Sequence, residues 1–249
     1  MKIAVCINHV PDTETKIKVA GDNVSIDKAG VNYMLSPYDE FGIEEALRLR
    51  EKFTGEVVAI SLGGDANKDT LRKALAMGVD KAVHLKDDAV RDSFGVAFAL
   101  AEELKAYGPE IIFFGKQSID YDNGQVGTLV AAMLGLPSVN VVVKLEVGGD
   151  GTAVCEREIE GGHETVQVKL PAVITAQKGL NEPRYPSLKG IMAAKNKPIE
   201  TKSAAAATVR VETLSMKRPP AKSAGKIVGT DKSAVPELIR LLHEEAKVI

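Results

Sequence analysis

The sequence predicts an α/β protein with a doubly wound, mostly parallel sheet, an antiparallel hairpin portion and an extended C-terminal arm. Three observations predict it. KIAVCIN from Lys2, EVVAIS from Glu56, KAVHL from Lys81 and EIIFFG from Glu110 are short continuous apolar runs, as in strands buried on both faces. Helical periodicity fills the gaps between these runs, which is the alternation that builds crossover connections. After Pro137 the pattern shifts to strand-like runs punctuated by glycine clusters.

The first helix is announced by Ser36-Pro37-Tyr38-Asp39: a capping serine, a proline at the first helical position and an acid in the first turn. Ile43, Ala46, Leu47 and Arg50 then keep the helical period, and Gly55 lies beyond its end. A second helix spans Ala66 to Met77, with Leu71, Ala74, Leu75 and Ala76 apolar and Gly78 at the stop. A third spans Asp92 to Tyr107 and stops at Gly108-Pro109. VNVVVKLEV, GTAVCEREI and ETVQVKLPAVITA, separated by Gly148-Gly149-Asp150-Gly151 and Glu160-Gly161-Gly162, read as antiparallel hairpins.

Residues 181–197 read as a polar, proline-bearing loop whose apolar members are Tyr185, Leu188, Ile191 and Met192. Residues 203–226 are rich in Ala, Lys, Pro and Ser and hold too few large apolar side chains for a core of their own, so an extended arm is expected. A last amphipathic helix, Val235 to Ala246, carries Leu238, Ile239, Leu241 and Leu242 on its apolar stripe. The division is therefore an α/β domain over 1–200 and an arm with a terminal helix over 201–249.

Composition narrows the function. The 32 Lys and Arg balance 34 Asp and Glu to a net charge of -2, which suggests no nucleic-acid surface. Cys6 and Cys155 lie far apart without metal or disulfide spacing and read as buried free thiols of a reducing compartment. His9, His84, His163 and His243 are scattered, and no catalytic acid, base or nucleophile is evident. With no targeting peptide and no membrane-length apolar run, the expectation is a cytoplasmic protein of bacterial type without direct membrane insertion.

The most informative stretch is Gly115-Lys116-Gln117-Ser118-Ile119-Asp120-Tyr121-Asp122-Asn123-Gly124-Gln125-Val126-Gly127, which follows a buried strand and opens a helix. Glycines admit close backbone approach, the next helix offers free amides, and Lys116, Ser118 and Gln125 add donors, so the stretch suits a phosphate. It is neither of the common glycine-rich nucleotide motifs, and it fits a structural strand-to-helix turn equally well. Asp120 and Asp122 oppose a purely anion-collecting role and suit a ribose or the loop's own support. Asn8 to Lys16 and Ser61-Leu62-Gly63-Gly64 should meet this loop at one sheet edge and complete a Rossmann-like crevice.

SPYDEFGIEEALRLRE from Ser36, ALAMGVDKAVHL from Ala74, GKQSIDYDNGQVG from Gly115, EREIEGGHETVQVKLPAVITA from Glu156 and LNEPRYPSLKGIMAAKNKPIE from Leu180 together resemble the β subunit of electron-transfer flavoprotein. The resemblance runs from Met1 to about Glu200, and beyond Thr201 it is one of style. It implies a heterodimer whose α subunit holds most of an FAD, with AMP buried in the β subunit. Electrons would arrive from acyl-CoA and related dehydrogenases, in fatty acid β-oxidation, and leave to a membrane quinone oxidoreductase. The arm of 201–249 would wrap the α subunit.

Matched residue by residue, the resemblance sets AMP against Cys6, Ser36, Pro37, Tyr38, Asp39, Leu62 and the Gly115 to Val126 loop. It makes Glu164 a subunit-interface carboxylate and Leu188 the anchor of a recognition loop, beside Tyr185, Ile191 and Met192, that docks into dehydrogenases. Thr13 stands where some members carry a tyrosine against the flavin, so an aromatic contact from that loop is not expected. A bifurcating relative, with a second FAD in the crevice and NADH as donor, is the alternative. A universal-stress-type adenine-nucleotide sensor is the alternative of another class, and it would leave the anchor loop and the arm unexplained.

Overall fold

A computed structural model describes residues 1–222 and 224–249. In chain order, strand β1 (Lys2–Cys6) leads through a small flap, β2 (His9–Pro11) and β3 (Tyr33–Leu35), to helix α1 (Pro37–Phe53). Then come β4 (Glu56–Gly63), α2 (Asn67–Met77), β5 (Lys81–Lys86), α3 (Ser93–Tyr107), β6 (Ile111–Gly115) and α4 (Val126–Leu134). The second part holds β7 (Ser138–Val147), β8 (Thr152–Ile159), β9 (Gly162–Lys169), β10 (Ala172–Ala176), α5 (Leu188–Asn196), β11 (Ile199–Ser203) and α6 (Val235–Glu244).

One nine-stranded sheet, ordered β11-β5-β4-β1-β6-β10-β7-β8-β9, organises the chain. Neighbours from β11 to β7 pair in parallel, and β8 and β9 close the far end as antiparallel hairpin strands. Alternate residues of β1 face opposite layers. Ile3 and Val5 pack with Ile43 and Leu47 of α1 and Leu71 and Leu75 of α2, while Ala4 and Cys6 pack with Leu100 and Leu104 of α3 and Val130 of α4. The predicted doubly wound architecture is therefore the one observed. Winding proceeds from β1 to β4 and β5, then resumes on the other side of β1 with β6, so the switch point lies between β1 and β6.

Four local expectations are corrected. The run ETVQVKLPAVITA is two strands, not one hairpin arm. Pro171 cannot donate to a ladder, and the wholly buried AVITA after it crosses back to lie parallel between β6 and β7. Residues 181–197 are not all loop: Ser187 Oγ accepts from the Gly190 amide at 3.0 Å and starts α5 at Leu188. Ser36, expected to cap α1, makes no side-chain capping bond, and Pro37 supplies the helix start. Residues 199–203 form an edge strand, β11, across residue 200, where the sequence divides domain from arm.

The flap of β2 and β3 also went unforeseen, being three residues per strand. Beyond β11, the described residues 204–222 and 224–228 form no helix or strand. Arg91 donates to the Ala205 carbonyl at 2.8 Å, and the amides of Arg210 and Val211 donate to Asp92 at 2.8 and 3.0 Å, so the arm begins along the head of α3. In α6 only Leu241 is buried, with Leu238 and Ile239 bare.

Candidate functional site: a crevice at the switch point and an exposed apolar segment

Parallel pairing puts the carboxyl ends of β4, β1 and β6 side by side, and the three predicted loops leave from them. Asp39, in the first turn of α1, ties two of these ends together. Its Oδ2 accepts from the Asn8 amide at 2.7 Å and its Oδ1 from the Gly115 amide at 3.0 Å. A Cβ at Gly115 would lie 2.5 Å from that Oδ1, so only glycine admits the tie. Burial pushes the Asp39 carboxyl up to about 7 against those two bonds, with Asp120 and Glu40 adding to the rise. Cys6, closing β1, is buried, and burial followed by the Asp39 charge pushes its thiol well above the ordinary range.

The third loop is braced as well. Asn67 Nδ2 donates to Ser61 Oγ at 2.9 Å and to the Leu62 carbonyl at 3.0 Å, and His84 Nε2 donates to the carbonyls of Gly63 and Gly64 at 2.9 and 3.0 Å. Leu62 itself is half-buried near the end of β4. His84, one of the four scattered histidines, is fully buried and is this brace.

Lys116 lies with its ammonium 5.0 Å over the Tyr38 ring and its amide bonded to the Ala176 carbonyl. Gln117 Nε2 donates to Asp122 at 2.8 Å, and Asn123 Nδ2 donates to Ser93 Oγ at 2.9 Å, so these side chains support the loop. Ser118 and Ile119 are half-buried, and Asp120, Tyr121, Gly124 and Gln125 are exposed. Asp122 and Gly124 take left-handed backbone, φ 52° and 58°, turning the chain into α4 at Val126.

Two features suit a nucleotide here. The Ser36 hydroxyl, beside Asn8 at the head of α1, is fully buried without a hydrogen-bond partner. Helix α4 has no side-chain cap, whereas α3 is capped by Asp92 through the Gly95 amide at 2.8 Å.

A second surface has the opposite character. Tyr185 is 96%, Leu188 83% and Met192 65% exposed, with Ile191 at 41%, although all are large and apolar. They stand on a segment that is nonetheless fastened: Asn181 Nδ2 donates to the Phe41 carbonyl and to Glu45, and Arg184 is paired with Glu44 and Glu51.

The family model described as the electron transfer flavoprotein domain matches residues 24–207. The "Electron transfer flavoprotein subunit beta" of Syntrophomonas wolfei is 43% identical over all of this chain and 98% of its own length. Those of Bacillus subtilis and, in mitochondrial form, Arabidopsis thaliana are 38% and 39% identical over the whole of both chains. The chain belongs to the electron transfer flavoprotein β-subunit family.

In this electron transfer flavoprotein β chain the crevice gathers Cys6, Ser36 to Asp39, Leu62 and the Gly115 to Val126 loop at one sheet edge. Glu164 and Leu188 lie apart from it. Glu164, on edge strand β9, accepts from Arg157 Nη1 at 3.0 Å and is half-exposed, and Leu188 opens α5. Thr13 is exposed in the turn after β2. Sequence reasoning missed Asn67, Arg184 and Glu44. The signal for Glu44 was present, since a helical period through Ile43 and Leu47 puts the neighbouring Glu44 and Glu45 against the body of the protein. Among the described residues no helix is long and apolar enough to cross a membrane.

Proposed function

We propose that this chain pairs with an electron-transfer flavoprotein α subunit and that the heterodimer carries electrons from acyl-CoA and related dehydrogenases to a membrane quinone oxidoreductase. It would do so in a bacterial cytoplasm, with no bond-making residue of its own. The electron store is an FAD held mainly by the α subunit, and it supplies the redox chemistry. The β chain contributes a bound AMP, a docking segment and the arm of 201–249 laid on its partner.

The observation that carries the nucleotide reading is the fully buried, unpartnered Ser36 hydroxyl at the head of α1, and the uncapped head of α4 supports it. The first-turn amides of α4 and the Lys116 ammonium would hold the phosphate. Asp39 has both oxygens committed to backbone amides, so its part is to hold the two loops at fixed separation. Its raised carboxyl value lowers the repulsion a nearby phosphate meets.

Leu188 supports the docking reading, because a large exposed apolar side chain on a fixed helix start gains about 2 kcal/mol on burial in a partner. Glu164 on the edge hairpin would face the α subunit.

The test is to denature the copurified heterodimer and count released nucleotides. One FAD and one AMP per dimer is the expected result. Two FAD would move the protein to the bifurcating class with NADH as donor, and recovery without α subunit or flavin would favour an adenine-nucleotide sensor.

A further inference from the structure

The exposed apolar group at Leu188 is held by an ion-pair clamp from Arg184 to Glu44 and Glu51, seven positions apart on α1. Arg184 Nε and Nη2 reach the two oxygens of Glu44 at 2.8 and 3.1 Å, and Nη1 reaches Glu51 at 2.6 Å. The Arg184 backbone amide donates to the same Glu44 carboxylate at 3.1 Å. Glu44 is 3% exposed on α1, so the clamp ties chain and side chain of residue 184 to the protein body four residues before Leu188. Asn181 Nδ2, at 2.9 Å from Glu45, fixes the segment one step earlier.

The far end is fixed independently. Arg72 Nη1 donates to the carbonyls of Ala194 and Lys197 at 2.5 and 2.6 Å, and Lys197 Nζ donates to the Val79 carbonyl at 2.7 Å. Gly190 lies so close to the Ala76 carbonyl that a Cβ would collide with it. Helices α1 and α2 thus immobilise a segment whose own side chains bury almost nothing: within α5 only Ala194 is buried. A segment that gains so little from its own apolar groups has no hydrophobic reason to be rigid, and the ordering comes from charge-assisted bonds instead. Rigid presentation of exposed anchors lowers the entropy lost when a partner covers them.

We infer that Arg184, through its forked bonds to Glu44 and Glu51, is a positioning residue that presents Leu188 to the electron donor. The inference rests on the docking role proposed above for Leu188 and adds the device that makes it effective. Arg184 is one-third exposed and touches α1, so its effect passes through the segment.

The experiment uses the intact heterodimer and an acyl-CoA dehydrogenase as electron donor, with Arg184→Lys, Leu188→Ala and the double variant. Lysine keeps a positive charge beside buried Glu44 and loses the fork, so the buried carboxylate is not left unpaired. Arg184→Lys should raise the KM for the heterodimer roughly tenfold with kcat changed less than twofold, and should speed amide exchange over residues 182–190. In the Leu188→Ala background the same substitution should have less than a twofold further effect. An unchanged KM for Arg184→Lys beside a raised KM for Leu188→Ala overturns the positioning role alone. Equal losses in both backgrounds overturn it too, because the clamp would then act elsewhere. A silent Leu188→Ala overturns the docking reading and this inference with it.

Discussion

Asp39 and Glu44 are two buried carboxylates on one helix that respond to pH with opposite signs. Asp39 has a folded value raised from 3.8 to about 7, so its favourable contribution is complete below about pH 4 and is lost as pH rises through about 7. For Glu44 burial raises the value, but the bonds from Arg184 and Arg48 outweigh it and hold the carboxyl below 4.5. Its contribution is present above that pH and is lost as pH falls through the lowered value. Melting curves should therefore show Asp39→Asn flattening the slope between pH 4 and 7, and Glu44→Gln removing part of the acid limb below 4.5. An Asp39→Asn variant with the parent's slope would mean that the carboxylate stays ionised throughout.

A second residue-scale prediction concerns Val141, whose φ of 62° is unusual for a β-branched side chain and coincides with the register shift of β7. Val141→Gly relieves roughly 1 to 3 kcal/mol of strain and should be near neutral in denaturant unfolding, whereas Val143→Gly should lose about 2 kcal/mol. At this scale the sequence was informative for Gly115, which closes a buried strand, and for Leu188, whose polar neighbours Ser187 and Lys189 agree with its exposure. It was silent on Asp39 as a tie and on Arg184, because their partners Asn8, Gly115 and Glu44 lie 31, 76 and 140 residues away.

At the scale of elements, helices α2 and α3 were legible because each carries a local glycine stop. Helix α3 begins after Asp92 and ends at left-handed Gly108, as its flanking residues require. Strand placement was less so: AVITA is recognisable as a buried strand, but nothing local says that it lies between β6 and β7. Helix α5 escaped because it is nine residues long, amid prolines and lysines, with little apolar period. Its seat on α2 depends on Gly190. Gly190→Ala should cost about 1 to 3 kcal/mol in unfolding free energy, since a backbone carbonyl, that of Ala76, must move to admit the methyl group. Leu188→Ala, by contrast, removes an exposed side chain. It should leave stability within about 0.5 kcal/mol and slow electron transfer from dehydrogenases at limiting protein. An unaltered transfer rate would remove the docking assignment.

For the whole molecule, the arm and α6 are the portion that the chain's own core does not explain. Ordering costs roughly 1 to 2 kcal/mol per residue, and Val211, Leu214 and Ile227 are left bare. Truncation after residue 204 keeps β11 and should weaken heterodimer assembly while leaving AMP bound. Amides of α6 should exchange more slowly in the heterodimer than in the isolated chain, and equal rates would place the helix on its own domain. The position of β10 also sets an order of events during synthesis. Until Ala172–Ala176 leave the ribosome, β6 has β1 on one side and open hydrogen-bonding groups on the other. That unfinished edge is Ile-Ile-Phe-Phe, a composition that templates intermolecular β-pairing. The nascent protein therefore passes, between about residues 116 and 171, through a stretch of elongation in which this apolar strand awaits a neighbour encoded some sixty codons downstream, and slower translation through that stretch should lower the soluble yield.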